Sequence, residues 1–177
     1  MVSVRQSDGI ERTFGDDQVI VSKTDVRGFI TYANSTFVAI SGYTERELIG
    51  KPHNLVRHPD MPRCVFRFFW ERLSAGHEIF AYVKNRCKNG DYYWVLAHAT
   101  PSHSPDGTLV GYHSARRTPH REALNRVIIP TYRALLDIEQ QDADRKVGME
   151  RAYAVLLDTI GKTEMDYDQW VFSLFDL

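Results

Sequence analysis

The dipeptide Asn89-Gly90 constrains the fold of this chain more than any other feature of its sequence. It lies between two long stretches, residues 79–88 and 91–100, that are rich in β-branched and aromatic side chains. Such residues favour strands, and Asn-Gly is the preferred pair for a two-residue turn between antiparallel strands. The sequence therefore predicts a β-hairpin, and with it an antiparallel sheet.

A two-residue turn also predicts which residues face each other across the hairpin. Counting outwards from the turn, Cys87 faces Tyr92 and Asn85 faces Trp94, while Lys84 points to the opposite side. The apolar face given by this count consists of Ile79, Ala81, Val83, Asn85, Cys87, Tyr92, Trp94 and Leu96. A buried amide without a partner costs about 1–3 kcal/mol. We therefore expect Asn85 to bond to backbone, water or a ligand.

Three further stretches have the composition of short strands: residues 18–22, 29–33 and 109–115. Turn sequences bound them, Asp25-Val26-Arg27-Gly28 after the first and Ser104-Pro105-Asp106-Gly107 before the last. Together with the hairpin they predict a sheet of five antiparallel strands.

Helical signals fill the interval between the second and third strands. Residues 34–41 have helical spacing, and Thr44 with Glu47 forms a capping box for a second short helix. A longer helix follows, with Asp60 as its predicted cap and Gly76 after its last turn. The predicted class is therefore α+β, with a five-stranded antiparallel sheet and short helices on one face.

The composition is that of an ordinary soluble protein. Of the 177 residues 43% are apolar and 25% are charged, and the net charge of −1 offers no basic surface for nucleic acid. No apolar run resembles a signal peptide or a membrane helix, so we expect a cytoplasmic protein. Cys64 and Cys87 form no CxxC pair, and we expect both to be small buried side chains.

Polar groups are concentrated in residues 52–62, PHNLVRHPDMP, where three prolines stiffen the backbone. The segment carries His53, Arg57, His58 and Asp60. In one interpretation it is structural, with Asp60 capping a helix and Arg57 paired with a nearby carboxylate. In the other it forms one wall of a ligand site, and Asp60 serves both roles.

The last third of the chain follows a different pattern. Residues 122–139 and 152–160 have helical spacing, with Pro130 as a predicted kink or break, and an apolar tail follows them. The tail needs a partner surface, which is the sheet, the helices themselves or a second chain in a homodimer. The predicted divisions are an N-terminal arm or cap (1–17), a sheet domain (18–120) and a helical signalling or docking extension (121–177).

The order of these elements resembles the PAS fold, a sensory module that holds a small molecule between its sheet and its helices. Four blocks resemble the sensory domain of bacterial aerotaxis receptors, namely residues 32–37 (YANSTF), 41–44 (SGYT), 50–62 (GKPHNLVRHPDMP) and 83–95 (VKNRCKNGDYYWV). The resemblance covers about residues 16–120. Ile79-Phe80 depart from it, because family members often carry a tryptophan there.

The resemblance implies that the chain binds FAD noncovalently. It also implies a report of redox, oxygen or energy state to a chemotaxis-type signalling partner, which is a separate protein or a C-terminal receptor module. The implied cofactor-binding residues are Arg57, His58 and Asp60, supported by Asn34, His53, Trp70 and Asn85. An arginine fork suits pyrophosphate, an aromatic ring suits a flat heterocycle, and an amide suits a flavin edge. From the polar segment 52–62 and the inward amide we expect a change in flavin redox state to alter hydrogen bonding near Asn85 and that segment, and we expect the sheet to pass the change to the helices beyond Arg117.

Other functions stay open. A haem-binding gas sensor needs one axial histidine, for which His58, His98 and His113 are candidates. A cofactor-free interaction or dimerisation module would use the aromatic pocket as core. Catalysis is not expected, because the chain has no GxSxG elbow, glycine-rich phosphate loop or HExxH motif. Metal ligands are not expected either, because no Cys/His cluster has zinc-like spacing.

Overall fold

A computed structural model describes residues 9–177, and its centre is one five-stranded antiparallel sheet. The strands are β1 (Ile20–Thr24), β2 (Ile30–Ala33), β3 (Ile79–Arg86), β4 (Tyr92–His103) and β5 (Leu109–Arg117). Their order in the sheet is β2-β1-β5-β4-β3, so β3 is one edge. The predicted five-stranded sheet is confirmed.

Four short helical elements connect β2 to β3. They are α1 (Ser35–Ser41), α2 (Glu45–Leu48), a 3-10 turn (His53–Val56) and α3 (Arg63–Ser74). The predicted capping box is present, because Glu47 N–H donates to the Thr44 hydroxyl while the Glu47 carboxylate accepts from Thr44 N–H. Gly76, with φ of 85°, follows α3 in the left-handed conformation that the sequence predicts for a helix end.

The turn of the central hairpin has three residues and not the two that the sequence predicted. Cys87 N–H donates to the Asp91 carbonyl at 2.7 Å, which leaves residues 88–90 as the loop. Gly90 has a φ of 96°. A left-handed glycine at the third position is the other common hairpin solution, and Asn-Gly satisfies both. The dipeptide therefore predicted the hairpin correctly but did not determine the length of its loop.

The longer loop shifts the predicted register by one residue. Asn85 pairs with Tyr93, not with Trp94, and Val83 pairs with Val95. Because side chains alternate along a strand, the shift moves three residues to the side opposite Asn85: Tyr92, Trp94 and Leu96. We call the side of Val83, Asn85, Ala97 and Ala99 the cavity face, and the side of Tyr82, Lys84, Trp94 and Leu96 the far face.

The start of α3 is capped from a distant part of the chain. The predicted cap, Asp60, does not serve, and Pro62 occupies the cap position without a side-chain hydrogen bond. The Glu139 carboxylate accepts instead from Arg63 N–H at 3.0 Å and from Cys64 N–H at 2.7 Å. A carboxylate is favoured at a helix N-terminus by hydrogen bonding and by the helix dipole.

The C-terminal extension is helical throughout. Its elements are α4 (Arg121–Ala123), a wide π-helical turn (Leu124–Ile128), α5 (Ile129–Gln140), α6 (Arg145–Gly161), α7 (Tyr167–Ser173) and a final 3-10 turn (Leu174–Asp176). Pro130 lies in the first turn of α5, directly after the wide turn. The backbone is irregular at this point, as the sequence predicted, but the helix is not broken.

The extension packs on the far face and on α3. The Tyr132 hydroxyl donates to the Tyr82 carbonyl at 2.9 Å, and the ring of Phe172 lies 4.8 Å from that of Phe80. Val171 and Leu174 of the apolar tail are buried. Of the partner surfaces expected for this tail, the structure shows the sheet and α3 of the same chain.

The predicted N-terminal arm is described from residue 9 onwards, and residues 1–8 lie outside the described part. Residues 10–12 run beside the start of β4, where Arg12 N–H donates to the Tyr92 carbonyl at 2.7 Å. Between residues 9 and 177, no helix combines the length and the apolar character that crossing a membrane requires.

Candidate functional site

A cavity of about 500 Å³ lies between the cavity face and α3. The sheet contributes the small side chains of Ser22, Ala97, Ala99 and Ser114 together with Tyr112 of β5, and the opposite wall, α3, is aromatic, with Phe66, Phe69 and Trp70. Alanine and serine leave space that larger side chains would fill, so these strand positions create the cavity. Its volume falls within the range of small-molecule sites, about 300–1,000 Å³.

The charged side chains around this cavity are of one sign. Five arginines contribute to the lining, and the described lining residues include no Asp or Glu; the arginines are Arg27, Arg57, Arg63, Arg67 and Arg116. Carboxylates outside the lining pair with some of them, as Glu71 and Glu150 do with Arg67. A low-dielectric cleft lined by one sign of charge attracts ligands of the opposite sign. The cavity therefore suits an anionic ligand.

Arg57 links the polar segment 52–62 to the edge of the sheet. Its backbone forms an antiparallel bridge with Asn85 of β3, and its guanidinium donates to the Met61 carbonyl at 3.0 Å. The same guanidinium lies 4.7 Å from the centre of the Phe66 ring. Burial lowers the pKa of Arg57 from its usual value, and the nearby Glu139 carboxylate opposes this shift. Arg57 thus lines the cavity.

His58 and Asp60 lie elsewhere, on the far-face side of β3. The Asp60 carboxylate is 2.8 Å from Lys84 Nζ and 3.6 Å from His58 Nδ1, and the His58 ring meets Tyr92 edge-on at 5.8 Å. Neighbouring residues of an extended segment point to opposite sides, so Arg57 faces the cavity and His58 does not. The structure therefore does not bring His58 and Asp60 together with the cavity.

The side chain of Asn34, a supporting candidate, forms hydrogen bonds with backbone groups. Its Oδ1 accepts from Phe37 N–H and Val21 N–H, each at 3.0 Å, and its Nδ2 donates to the Val19 carbonyl at 2.8 Å. It caps α1 and ties it to β1, and it is not among the residues that line the cavity.

His53 lines the cavity as a neutral ring. Its Nε2 lies 3.1 Å from the Ser22 hydroxyl, and its ring stacks on Phe37 with the centres 5.9 Å apart. Burial, together with the charge of Arg116, lowers the pKa of His53 to about 3. At neutral pH the imidazole is therefore unprotonated.

Trp70 and Asn85 also line the cavity. Trp70, 37% exposed, lies at the mouth with its ring 5.2 Å from that of Tyr112. Asn85 is 4% exposed, and it belongs to the residues that line the cavity. A buried amide that faces a cavity is a group whose partner is expected to be a ligand or water.

Arg116 is a buried cavity residue that sequence reasoning missed. It is 2% exposed, its guanidinium donates to the Ser22 hydroxyl, and it lies 4.6 Å from the centre of the Phe37 ring. Burial lowers its pKa to about 10, so it is charged at neutral pH. A signal was present, because Tyr112, Ser114 and Arg116 alternate along β5 and so share the cavity face.

The histidines considered for haem do not converge. His58 lies beyond β3, and His98 stacks on Phe80 at 4.1 Å while its Nε2 is 2.7 Å from Glu78. Of the three candidates only His113 contributes to the cavity lining.

Comparison with known proteins places the sheet and its helices in a family. Residues 30–116 match the family model described as the PAS fold. The chain is 48% identical over 120 residues to the aerotaxis receptor of Escherichia coli (strain K12), which covers 68% of this chain and 23% of the receptor. It is 30% identical over 99 residues to the nitrogen fixation regulatory protein of Klebsiella pneumoniae, which covers 56% of this chain and 20% of that protein. The chain thus spans about a fifth to a quarter of the length of these relatives.

Solved structures show the same fold. The PAS domain of a protein from Colwellia psychrerythraea superposes with a TM-score of 0.50 at 22% identity, covering 58% of this chain and 87% of that one. The family match, the similarity to the receptor and the order of the strands in the sheet all indicate the same fold. Residues 30–116 therefore carry the PAS fold that the family model describes.

Proposed function

We propose that this chain is a sensory PAS domain that binds FAD noncovalently in the cavity and reports redox, oxygen or energy state to a chemotaxis-type signalling partner. The observation that carries the proposal is the character of the cavity, an aromatic slot with five arginines and no carboxylate among its described lining residues. A flat heterocycle fits such a slot, and a pyrophosphate fits such a charge. The similarity to an aerotaxis receptor supports the same function.

The residues present fit the parts of this cofactor. Phe66 and Trp70 offer aromatic surface to the ring system, and the Asn85 amide offers a donor and an acceptor to its edge. Arg57 offers a guanidinium to the phosphates. His58 and Asp60 act indirectly in this proposal, by holding the segment that carries Arg57. When bound, FAD supplies a group that accepts and returns electrons, and the protein side chains bind and orient it.

A signal has a short route from this cavity to the C-terminal helices. Arg57 and the start of α3 border the cavity, and Glu139 of α5 accepts hydrogen bonds from the first N–H groups of α3. A ligand that draws Arg57 or α3 towards the cavity therefore also moves α5. Signalling by this route requires that the two redox states of the ligand interact differently with the protein.

The absorption spectrum of the purified protein, before and after titration with FAD, tests this function. We expect flavin bands and saturable binding, because the cavity provides aromatic and cationic partners. Arg57→Gln is expected to weaken FAD binding at least tenfold, because it removes a phosphate partner. Arg121→Gln is the matched control, since Arg121 pairs with Glu11 away from the cavity.

Two other outcomes of the same measurement would contradict the proposal. A Soret band would indicate a haem sensor, the second candidate, for which His113 is the histidine in the cavity lining. A colourless protein that FAD does not saturate would indicate a cofactor-free interaction module. No catalytic activity is proposed for any of these cases.

A further inference from the structure

Arg116 is a buried cation whose hydrogen-bonding capacity is only partly used. It is 2% exposed, and Nη2 donates to the Ser22 hydroxyl. Its Nε and Nη1 atoms are buried and have no hydrogen-bond partner among the described residues. Both atoms belong to a side chain that lines the cavity. Two donors of one guanidinium therefore stay available at the inner end of the cavity.

The surroundings of Arg116 do not neutralise it. Its contacts with the Ser22 hydroxyl and the Phe37 ring are with neutral groups. The Tyr93 hydroxyl, which is also buried and has no hydrogen-bond partner among the described residues, is the group whose charge would raise the pKa of Arg116. No Asp or Glu is among the described residues of the cavity lining. A buried cation without a counter-charge destabilises a fold, and an apolar side chain of similar volume is often more stable in its place.

We infer that Arg116 anchors the ligand: its free N–H groups bind acceptor atoms of the flavin ring, and its charge favours the reduced, anionic form of that ring. The inference rests on the proposed function and assigns Arg116 a role distinct from that of Arg57. Arg57 serves the phosphates, whereas Arg116 serves the ring and its electronic state.

The effect on redox state follows from charge. Two electrons from a reductant such as dithionite, together with one proton from water, convert an oxidised flavin into a reduced flavin with one negative charge on its ring. A fixed cation beside the ring stabilises that product more than the neutral reactant, so it raises the reduction potential. Because the site is buried, solvent screens this interaction little.

Flavin titrations of four proteins test the inference: the wild-type chain, Arg116→Met, Arg116→Gln and the control Arg121→Gln. Affinities for FAD and for riboflavin, which lacks phosphates, are measured by fluorescence. The potential of bound FAD is measured by redox titration, and unfolding of the flavin-free protein by urea. We expect both Arg116 variants to lose at least tenfold in affinity for FAD and for riboflavin alike. We also expect the potential to fall by about 30 mV or more, the shift of a tenfold change for two electrons.

Two further results are expected if Arg116 is a ligand anchor. The flavin-free Arg116→Met protein should be at least as stable in urea as the wild type, because the variant removes an unpaired buried charge. Arg57→Gln should weaken FAD binding but leave riboflavin binding unchanged. The control Arg121→Gln should change neither affinity nor potential.

Other results would overturn the inference. Unchanged affinity and potential in both Arg116 variants would show that the ring does not use this cation. Weaker FAD binding with unchanged riboflavin binding would show that Arg116 binds phosphate, and lower stability of both flavin-free variants with unchanged affinity would make it structural. If the wild-type chain binds no flavin, the proposed function fails first, and this inference fails with it.

Discussion

His53, Ser22 and Arg116 form one hydrogen-bonded group at the inner end of the cavity. Ser22 accepts a hydrogen bond from Arg116, so its own hydroxyl hydrogen is available to donate to His53 Nε2, 3.1 Å away. Such a donation makes Nε2 the acceptor nitrogen and places the imidazole hydrogen on Nδ1. A neutral histidine is therefore held beside a charged arginine, with one serine between them.

The neutral state of His53 predicts a specific dependence of stability on pH. The pKa of His53 in the folded protein is about 3, below its usual value of 6.5, so between these values the unfolded chain binds more protons than the folded one. Stability must then fall as the pH falls from about 6.5, by at most about 1.4 kcal/mol per pH unit from this group. His53→Asn removes that contribution. Urea unfolding at pH 7 and pH 5 should show a smaller acid loss for the variant, and equal losses would contradict the prediction.

The contact between α3 and α5 includes two hydrogen bonds from one side chain, Glu139. Glu139 is 8% exposed and gives both carboxylate oxygens to the first turn of α3. It also raises the pKa of the buried Cys64 thiol, after burial itself, because a negative charge lies beside that sulfur. The Glu139 side chain thus caps the N-terminus of α3 and connects α3 to α5.

Glu139→Gln should destabilise the protein by about 1–3 kcal/mol, because the amide group leaves one buried N–H of α3 without an acceptor. Urea unfolding measures the loss. Glu122→Gln is the matched control, since Glu122 makes an exposed pair with Arg126 one helical turn away, worth about 0.5 kcal/mol or less. Equal effects of the two substitutions would show that the cap contributes little.

At the scale of the whole molecule, the extension completes the PAS domain instead of standing apart from it. The helices after residue 120 cover the far face, and α6 packs on both α5 and α3. A β-carbon on Gly148 of α6 would overlap the Glu139 carbonyl oxygen, so this glycine permits the close approach of α6 to α5. The same approach holds Glu139 against α3.

Gly148→Ala should therefore weaken the docking of the extension, at a cost of about 1–3 kcal/mol from overpacking. Gly161→Ala, at the end of the same helix, meets no atom within 4 Å, and it should be neutral or slightly stabilising. Hydrogen exchange of α5 and α6 should be faster in the first variant and unchanged in the second. Equal exchange in both would contradict a tight contact between the two helices.

Local rules were sufficient for the elements whose signals are local. The capping box of Thr44 and Glu47, the glycine that ends α3 and the five strands were predicted from neighbouring residues, and the structure confirms them. Such features depend on backbone groups a few residues apart, so the sequence contains all of their determinants. The resemblance to PAS sensory domains added a ligand site on the segment 52–62, of which Arg57 and His53 line the cavity.

The strands, the short helices and the fold class follow from local patterns in the sequence. The loop length at Asn89-Gly90, the cap that Glu139 provides and the position of Arg116 in the cavity depend on tertiary packing. Each of these three features has the same kind of cause. Two turn types accept the same dipeptide, and a long-range partner or an inward-facing charge is selected by packing between segments that lie far apart in the chain.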